Sequence, residues 1–219
     1  LCFRGEFPAN VTPWQRAAAL FQLELVWGDA DAFRTDPDAA WADFDRCLDA
    51  GVRLVAVSAV QFQTGFRMPL AEMARRCHAR GAELFVDAIQ AAGATPLDVT
   101  RDGIDYLAAG GHKWLMGLEG AGVVTVAPEA AARMRPVAAG WLSHVDPFAF
   151  LVQGAGHLRY DRPFVETARL LETGTAPAAG YVALEASVTL LLHLGVEAIW
   201  AHANSYLDAL EAALVARAR

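Results

Sequence analysis

The 219-residue chain is short of lysine, cysteine and long apolar runs, and each shortage excludes something. It has no run of cations, and its 18 basic residues are outnumbered by 25 acidic ones, for a formal net charge of −7. A nucleic-acid partner or an anionic membrane rewards stripes of Lys and Arg, so neither is expected. The richest apolar stretch, residues 54–62, falls well short of the roughly 20 residues that a helix needs to cross a bilayer. Cys2, Cys47 and Cys77 are odd in number and form no CxxC pair, which argues against a disulfide framework or a structural zinc site. A reducing, cytoplasmic setting is the simpler expectation. None of the six histidines stands in an HExxH spacing, no GxSxG elbow is present, and Asp29/Asp31 and Asp43/Asp45 lack the glycine and closing glutamate of a calcium loop. Catalytic metal and α/β-type serine hydrolysis therefore find no support.

What the chain does have is apolar mass, 55% of residues against 20% charged, which is enough for a core and rules out disorder. Its pattern alternates helix and strand. Helices are expected over 13–22, 38–50 and 69–80, the last with Leu70, Met73, Ala74 and Cys77 at i, i+3, i+4 and i+7. Strands are expected over 23–27, 53–60, 83–87, 104–108 and 123–127, with a polar loop over 28–38. This βαβ rhythm predicts a mostly parallel sheet with helices on both faces. Beyond about residue 140 the pattern loosens, until Tyr181, Leu184, Val188 and Leu191 form one helical stripe and Val196, Ile199, Ala203, Leu207 and Leu210 another. The chain opens at Leu1-Cys2-Phe3 with no initiator Met and closes over 215–219 inside a helical pattern, as a piece of a longer protein would.

Of the 18 cations, 17 are Arg and one is Lys113. A bias toward Arg explains the other 17 and is one reading of the lone lysine. The other is chemical: an ammonium can lose its proton and attack a carbonyl, and a guanidinium cannot. Lys113 follows a strand through Gly110-Gly111-His112, and Asp87 ends another strand. In open α/β sheets, ligands bind outside the carboxyl ends of the strands. An amine and a carboxylate presented to one such crevice are what pyridoxal 5′-phosphate (PLP) requires, although Asp after a strand also serves as a helix N-cap. The Gly117–Gly122 segment GLEGAG imitates a dinucleotide loop, but a strand is expected after it where phosphate binding needs a helix N-terminus. A nicotinamide dehydrogenase is set aside on that ground.

The segments VSAVQFQTGFRMPLAEM (57–73), ELFVDAIQAAGATPLDV (83–99) and IDYLAAGGHKWLMGLEGAGVV (104–124) together resemble the class V aminotransferase family of fold-type I PLP enzymes. That family includes cysteine desulfurases, kynureninases and isopenicillin-N-epimerase-like proteins. Weaker echoes are Glu6-Phe7-Pro8-Ala9-Asn10 and Leu171-Glu172-Thr173-Gly174-Thr175. The resemblance implies the aspartate-aminotransferase-like large domain, its central part over 1–165. Residues 166–219 would end it and lead toward a small domain. It implies PLP on Lys113 as an internal aldimine, Asp87 on the pyridinium nitrogen, Gln90 on the phenolic oxygen and His112 at the phosphate. Phe7 would stack on the ring, and Thr175 would reach the phosphate of a neighbouring subunit in a homodimer. The substrate would be an amino acid, activated at Cα through a quinonoid.

Each residue also has a plainer role open to it: Phe7 in the core, Gln90 in a solvated turn, His112 bonded to backbone in its loop, Thr175 as an N-cap before Pro177. The chain departs from the desulfurases at Gly110, where they carry Ser, and at Phe62, where they carry Asn. The family's upstream phosphate loop, its small-domain arginine and the desulfurases' persulfide cysteine match no position in this chain. Cysteine desulfuration or C–S lysis, and a non-catalytic large-domain piece acting as a dimer scaffold, stand as alternatives to class V transamination.

Overall fold

The segments Leu54–Ser58 (LVAVS) and Glu83–Asp87 (ELFVD) set the centre of the fold. In the first, every residue after Leu54 is buried; in the second, Leu84 and Val86 are. Such strands are stable only when covered on both faces. The protein is described from a computed structural model covering residues 1–135 and 137–217. In chain order its elements are β1 (Cys2–Arg4), α1 (Thr12–Phe21), β2 (Trp27–Asp29), α2 (Ala32–Thr35), α3 (Pro37–Asp49), β3 (Leu54–Ser58), α4 (Leu70–His78), β4 (Glu83–Asp87), β5 (Tyr106–Gly110), β6 (Gly122–Val126), α5 (Pro128–Ala131), α6 (Ala149–Gln153), α7 (Ala178–Leu194) and α8 (Val196–Arg217), joined by turns and short 3-10 segments. The expected helical ending over 215–219 is realised as far as Arg217; Ala218 and Arg219 lie outside the described residues.

The main sheet has the order β3-β4-β5-β6, with β3, β4 and β5 parallel and β6 antiparallel to β5. Strands β1 and β2 pair parallel in a second ribbon. Two backbone hydrogen bonds join that ribbon to β3: Leu54 O accepts from the amino group of Leu1 at 2.7 Å, and Leu1 O from the Ala56 N–H at 2.9 Å. The mostly parallel sheet read from the sequence is therefore present.

Helices cover both faces, as expected. Met73, Ala74 and Cys77 of α4 and Phe44, Cys47 and Leu48 of α3 share one core with Val55, Val57, Leu84 and Val86. Arg76 of α4 pairs with Asp45 of α3 and lies 4.3 Å from the Trp41 ring centroid, tying the two helices together. Side chains alternate along a strand, so Phe85 faces away from Leu84 and Val86. There it meets Trp14 of α1 edge-on, with centroids 5.0 Å apart.

Two expectations need correction. The strand expected over 23–27 lies instead at Trp27–Asp29, because pairing of Cys2 with Trp27 sets its register; Leu23, the most apolar start it could have had, is exposed. The polar loop expected over 28–38 contains α2, whose buried Phe33 packs edge-on against Phe3, Trp41 and Phe44. The looser region beyond residue 140 consists of short helical turns, as read. The stripe of α7 is buried at Leu184 and Leu191, whereas α8 buries none of its residues. Among the described residues no single helix is long and apolar enough to cross a membrane. Helices α7 and α8 meet that measure only as a pair, bent by 73° about Gly195.

Candidate active site

Strands β1, β3, β4 and β5 run in one direction, so their carboxyl ends open on one edge of the sheet. Four chain segments arrive there: Glu6 and Phe7 after β1, Ser58 closing β3, Asp87 closing β4, and His112 and Lys113 after β5.

Lys113 is half-buried, and its Nζ lies 5.5 Å from the centroid of the Phe7 ring. Among the described residues it has no acidic partner within ion-pair reach, unlike the many arginines that the carboxylates hold. The loop that carries it is pinned at several points. Gly111 N–H donates to Ala121 O at 2.8 Å, Gly117 N–H to Gly111 O at 2.7 Å, and Met116 N–H to Lys113 O at 2.9 Å. From α7, the Ser187 hydroxyl donates to Met116 O at 3.0 Å. Glycine is required beneath it: Gly93 has φ +91°, and a Cβ there would stand 2.5 Å from Trp114 O. The turn after β4 thus touches the turn bearing the lysine, backbone against backbone.

Asp87 is half-buried at that edge. Burial pushes its carboxyl above the usual carboxylate range; the Ile89 N–H donating to Oδ1 at 2.9 Å pulls it back, the Glu6 charge raises it further, and Lys113 lowers it. No helix begins after Asp87, so it is not an N-cap: residues 88–95 form turns. Gln90 follows in those turns, half-buried, and its Oε1 accepts from the Trp114 indole N–H at 3.1 Å. An indole nitrogen only donates, so the amide oxygen is committed to it and the amide NH₂ is left to face elsewhere.

Phe7 is 45% exposed and meets Phe62 edge-on, 5.4 Å between centroids; it is not a core residue. Beside it stands a group that sequence reasoning missed. Glu6 is buried, and its carboxylate accepts from the Ser58 N–H at 2.7 Å, the Ser58 hydroxyl, the Gln61 amide at 2.9 Å and the Asn10 amide at 3.1 Å. The signal that could have found it is the Glu6–Asn10 spacing of four, next to a Ser that closes an otherwise apolar strand.

Comparison with known proteins places the chain in a family. A family model described as Aminotransferase class-V matches residues 2–218. The chain belongs to the class-V aminotransferase family. It is 32% identical over 152 residues to an uncharacterised aminotransferase, YcbU, of Bacillus subtilis (69% of this chain, 38% of that protein). It is 35% identical over 198 residues to a cysteine desulfurase of Dickeya dadantii (90% of this chain, 45% of that protein). The chain thus spans less than half the length of these curated relatives. Among solved structures, a C-DES variant with glycine covalently linked to its PLP cofactor superposes with a TM-score of 0.72 at 26% identity, covering 89% of this chain and 49% of that one.

One departure of this class-V chain has a local cause. A Cβ at Gly110 would meet the His112 ring at 3.0 Å and Ile89 Cδ1 at 3.1 Å, so the glycine makes room for both neighbours. All three cysteines are buried, and burial raises their thiols, that of Cys77 to about 12. They are core residues. His112 is exposed in its loop beside Gly110. Thr175 is not gathered into the cluster by any contact among the described residues. It is exposed in the segment before α7, and the position before that helix is Pro177, with no side-chain cap.

Proposed function

We propose that this chain carries the cofactor centre of a PLP-dependent enzyme acting at the Cα of an amino acid. The observation that supports this most is Lys113: the chain's one lysine, without an acidic partner among the described residues, on the same sheet edge as Asp87 and facing the Phe7 ring. The donor set suits PLP. A primary amine is available for the carbonyl carbon, a partly desolvated carboxyl for the ring nitrogen, an exposed aromatic face for the ring, and an oriented amide NH₂ for the phenolic oxygen. Lys113, Asp87, Phe7 and Gln90 would fill these roles in turn, with His112 at the phosphate. Bound PLP supplies a ring that accepts electrons when a bond at the substrate Cα breaks.

The residues supply the rest. Lys113, with its amine on this edge, would be the base placed to take and return the Cα proton. Asp87 would face the ring nitrogen as a carboxylate, and its negative charge would favour the protonated form of that nitrogen. Trp114 holds the Gln90 oxygen so that only the NH₂ can turn to the ligand. Residues 1–165 form the central part of the large domain in this reading, and 166–219 its end, leading toward a small domain. Thr175 belongs to the phosphate site of a second copy, which makes the working unit a homodimer.

Cysteine desulfuration is the second reading, favoured by the Dickeya relative; in it the sulfur acceptor is none of the three buried cysteines. Titration of the chain with PLP tests the proposal. A visible absorption band that wild-type protein develops and Lys113→Ala does not is the expected result. Identical spectra from the two would refute it.

A further inference from the structure

The sheet edge that carries Lys113 and Asp87 is not held by those residues. Phe7 is on a segment that leaves β1 after Arg4 and turns away, and it is largely open to solvent. Something must fix it opposite Lys113. Glu6, the residue before it, is the buried anchor: one carboxylate binds both donors of Ser58, the Gln61 amide and, back on its own segment, the Asn10 amide. Asn10 in turn accepts from the Trp14 indole at 3.3 Å, and Trp14 packs on Phe85 of β4. Ser58 is the direct β-ladder partner of Asp87, so the same carboxylate is bonded to the end of the strand next to that acid.

Resting on the reading of a PLP centre given above, we propose that Glu6 is a positioning residue for it. It clamps the Phe7 segment to the end of β3 and places a fixed negative charge one strand away from Asp87. Burying a carboxylate without partners is costly, and four donors offset that here, so the group is held in one place. The charged groups that act on Asp87 among the described residues are Glu6 and Lys113, of opposite sign. Removing the first leaves the second unopposed.

Glu6→Gln keeps the shape but replaces one acceptor by an NH₂ that faces donors, and it removes the charge. The experiment compares the full chain with Glu6→Gln by two readouts after circular dichroism has checked folding. The first, on protein without cofactor, follows the Asp87 carboxyl carbon by NMR as pH rises. Its midpoint is expected to move down by about half a unit or more in the variant. The second is PLP affinity, expected to fall about tenfold or more, the loss of one strong charged hydrogen bond. A folded variant with both quantities at wild-type values overturns the inference. If wild-type protein binds no PLP, the function proposal fails, and the NMR midpoint still decides the role of Glu6.

If Glu6→Gln does not fold, Ser58→Ala replaces it, cutting one tether and leaving the charge. The Asp87 midpoint then stays within a few tenths of a unit while PLP affinity drops about fivefold. An unchanged affinity overturns the clamp, and a midpoint shifted as far as the loss of a charge requires overturns the assignment of that charge to Glu6.

Discussion

The contact between Gly93 and Trp114 gives the sharpest test of how the lysine-bearing loop is held. Gly93 and Gly81 both sit at positive φ, +91° and +71°, where an L side chain costs about 1–2 kcal/mol. They differ in what a Cβ would meet. At Gly81, after α4, nothing lies within 4 Å. At Gly93 the new methyl would stand 2.5 Å from Trp114 O, 2.9 Å from its carbonyl carbon and 3.2 Å from Leu191 Cδ1 of α7. Backbone cannot swing aside as a flexible side chain does, and forced overpacking costs about 1–3 kcal/mol more. Gly81→Ala should therefore lose about 1–2 kcal/mol and Gly93→Ala about 2–5 kcal/mol. For a chain of this size each kcal/mol lowers Tm by about 2–4 °C, so the extra cost of about 1–3 kcal/mol should make the second variant melt about 2–12 °C below the first. Urea unfolding followed by circular dichroism, with the slopes checked for equality, measures the difference. Because the displaced carbonyl belongs to the residue after Lys113, only Gly93→Ala should also weaken PLP uptake. Variants that agree within about 0.5 kcal/mol would refute the backbone-to-backbone contact.

Asp87 predicts a pH dependence. Its folded pKa lies above its unfolded value, so the cofactor-free fold binds the proton more tightly than the unfolded chain does. Stability from this group is then present below the unfolded value near 3.8 and lost as pH rises through the folded one. Asp87→Asn should flatten that slope and be at least as stable as wild type at pH 7 without cofactor; chemical unfolding between pH 4 and 7 measures it, and a variant clearly weaker at pH 7 contradicts it. The cysteines predict slow thiol chemistry. With all three buried and the Cys77 thiol near 12, a disulfide dye should react slowly with native protein and fully with unfolded protein. A thiol that reacts within seconds in the native state would contradict the core assignment.

Much of this was legible in the sequence, for a physical reason. Apolar strands such as Leu54–Ser58 and amphipathic helices such as Leu70–His78 write their burial directly into their spacing. Once strands alternate with helices, the carboxyl ends fall on one edge, which brings Lys113 and Asp87 together. Long-range pairing was not legible. The position of β2 depends on Cys2 meeting Trp27, and no local pattern near residues 23–27 encodes that. The Glu6 cluster was hidden for the same cause: Ser58 and Gln61 are more than 50 residues away in the chain. The relation of Gly110 to His112 is likewise one of space, not sequence. The roles of Gln90 and His112 came from family resemblance, and the structure adds the neighbours that would orient them.

The most direct measurement is borohydride reduction of the protein after addition of PLP, followed by peptide mass mapping. The single lysine in the chain leaves one side-chain amine on which the adduct can form. A pyridoxyl mass on the Lys113 peptide, absent from Lys113→Ala, is the predicted result. A folded protein that carries no adduct, or carries it anywhere but Lys113, would contradict a cofactor centre there.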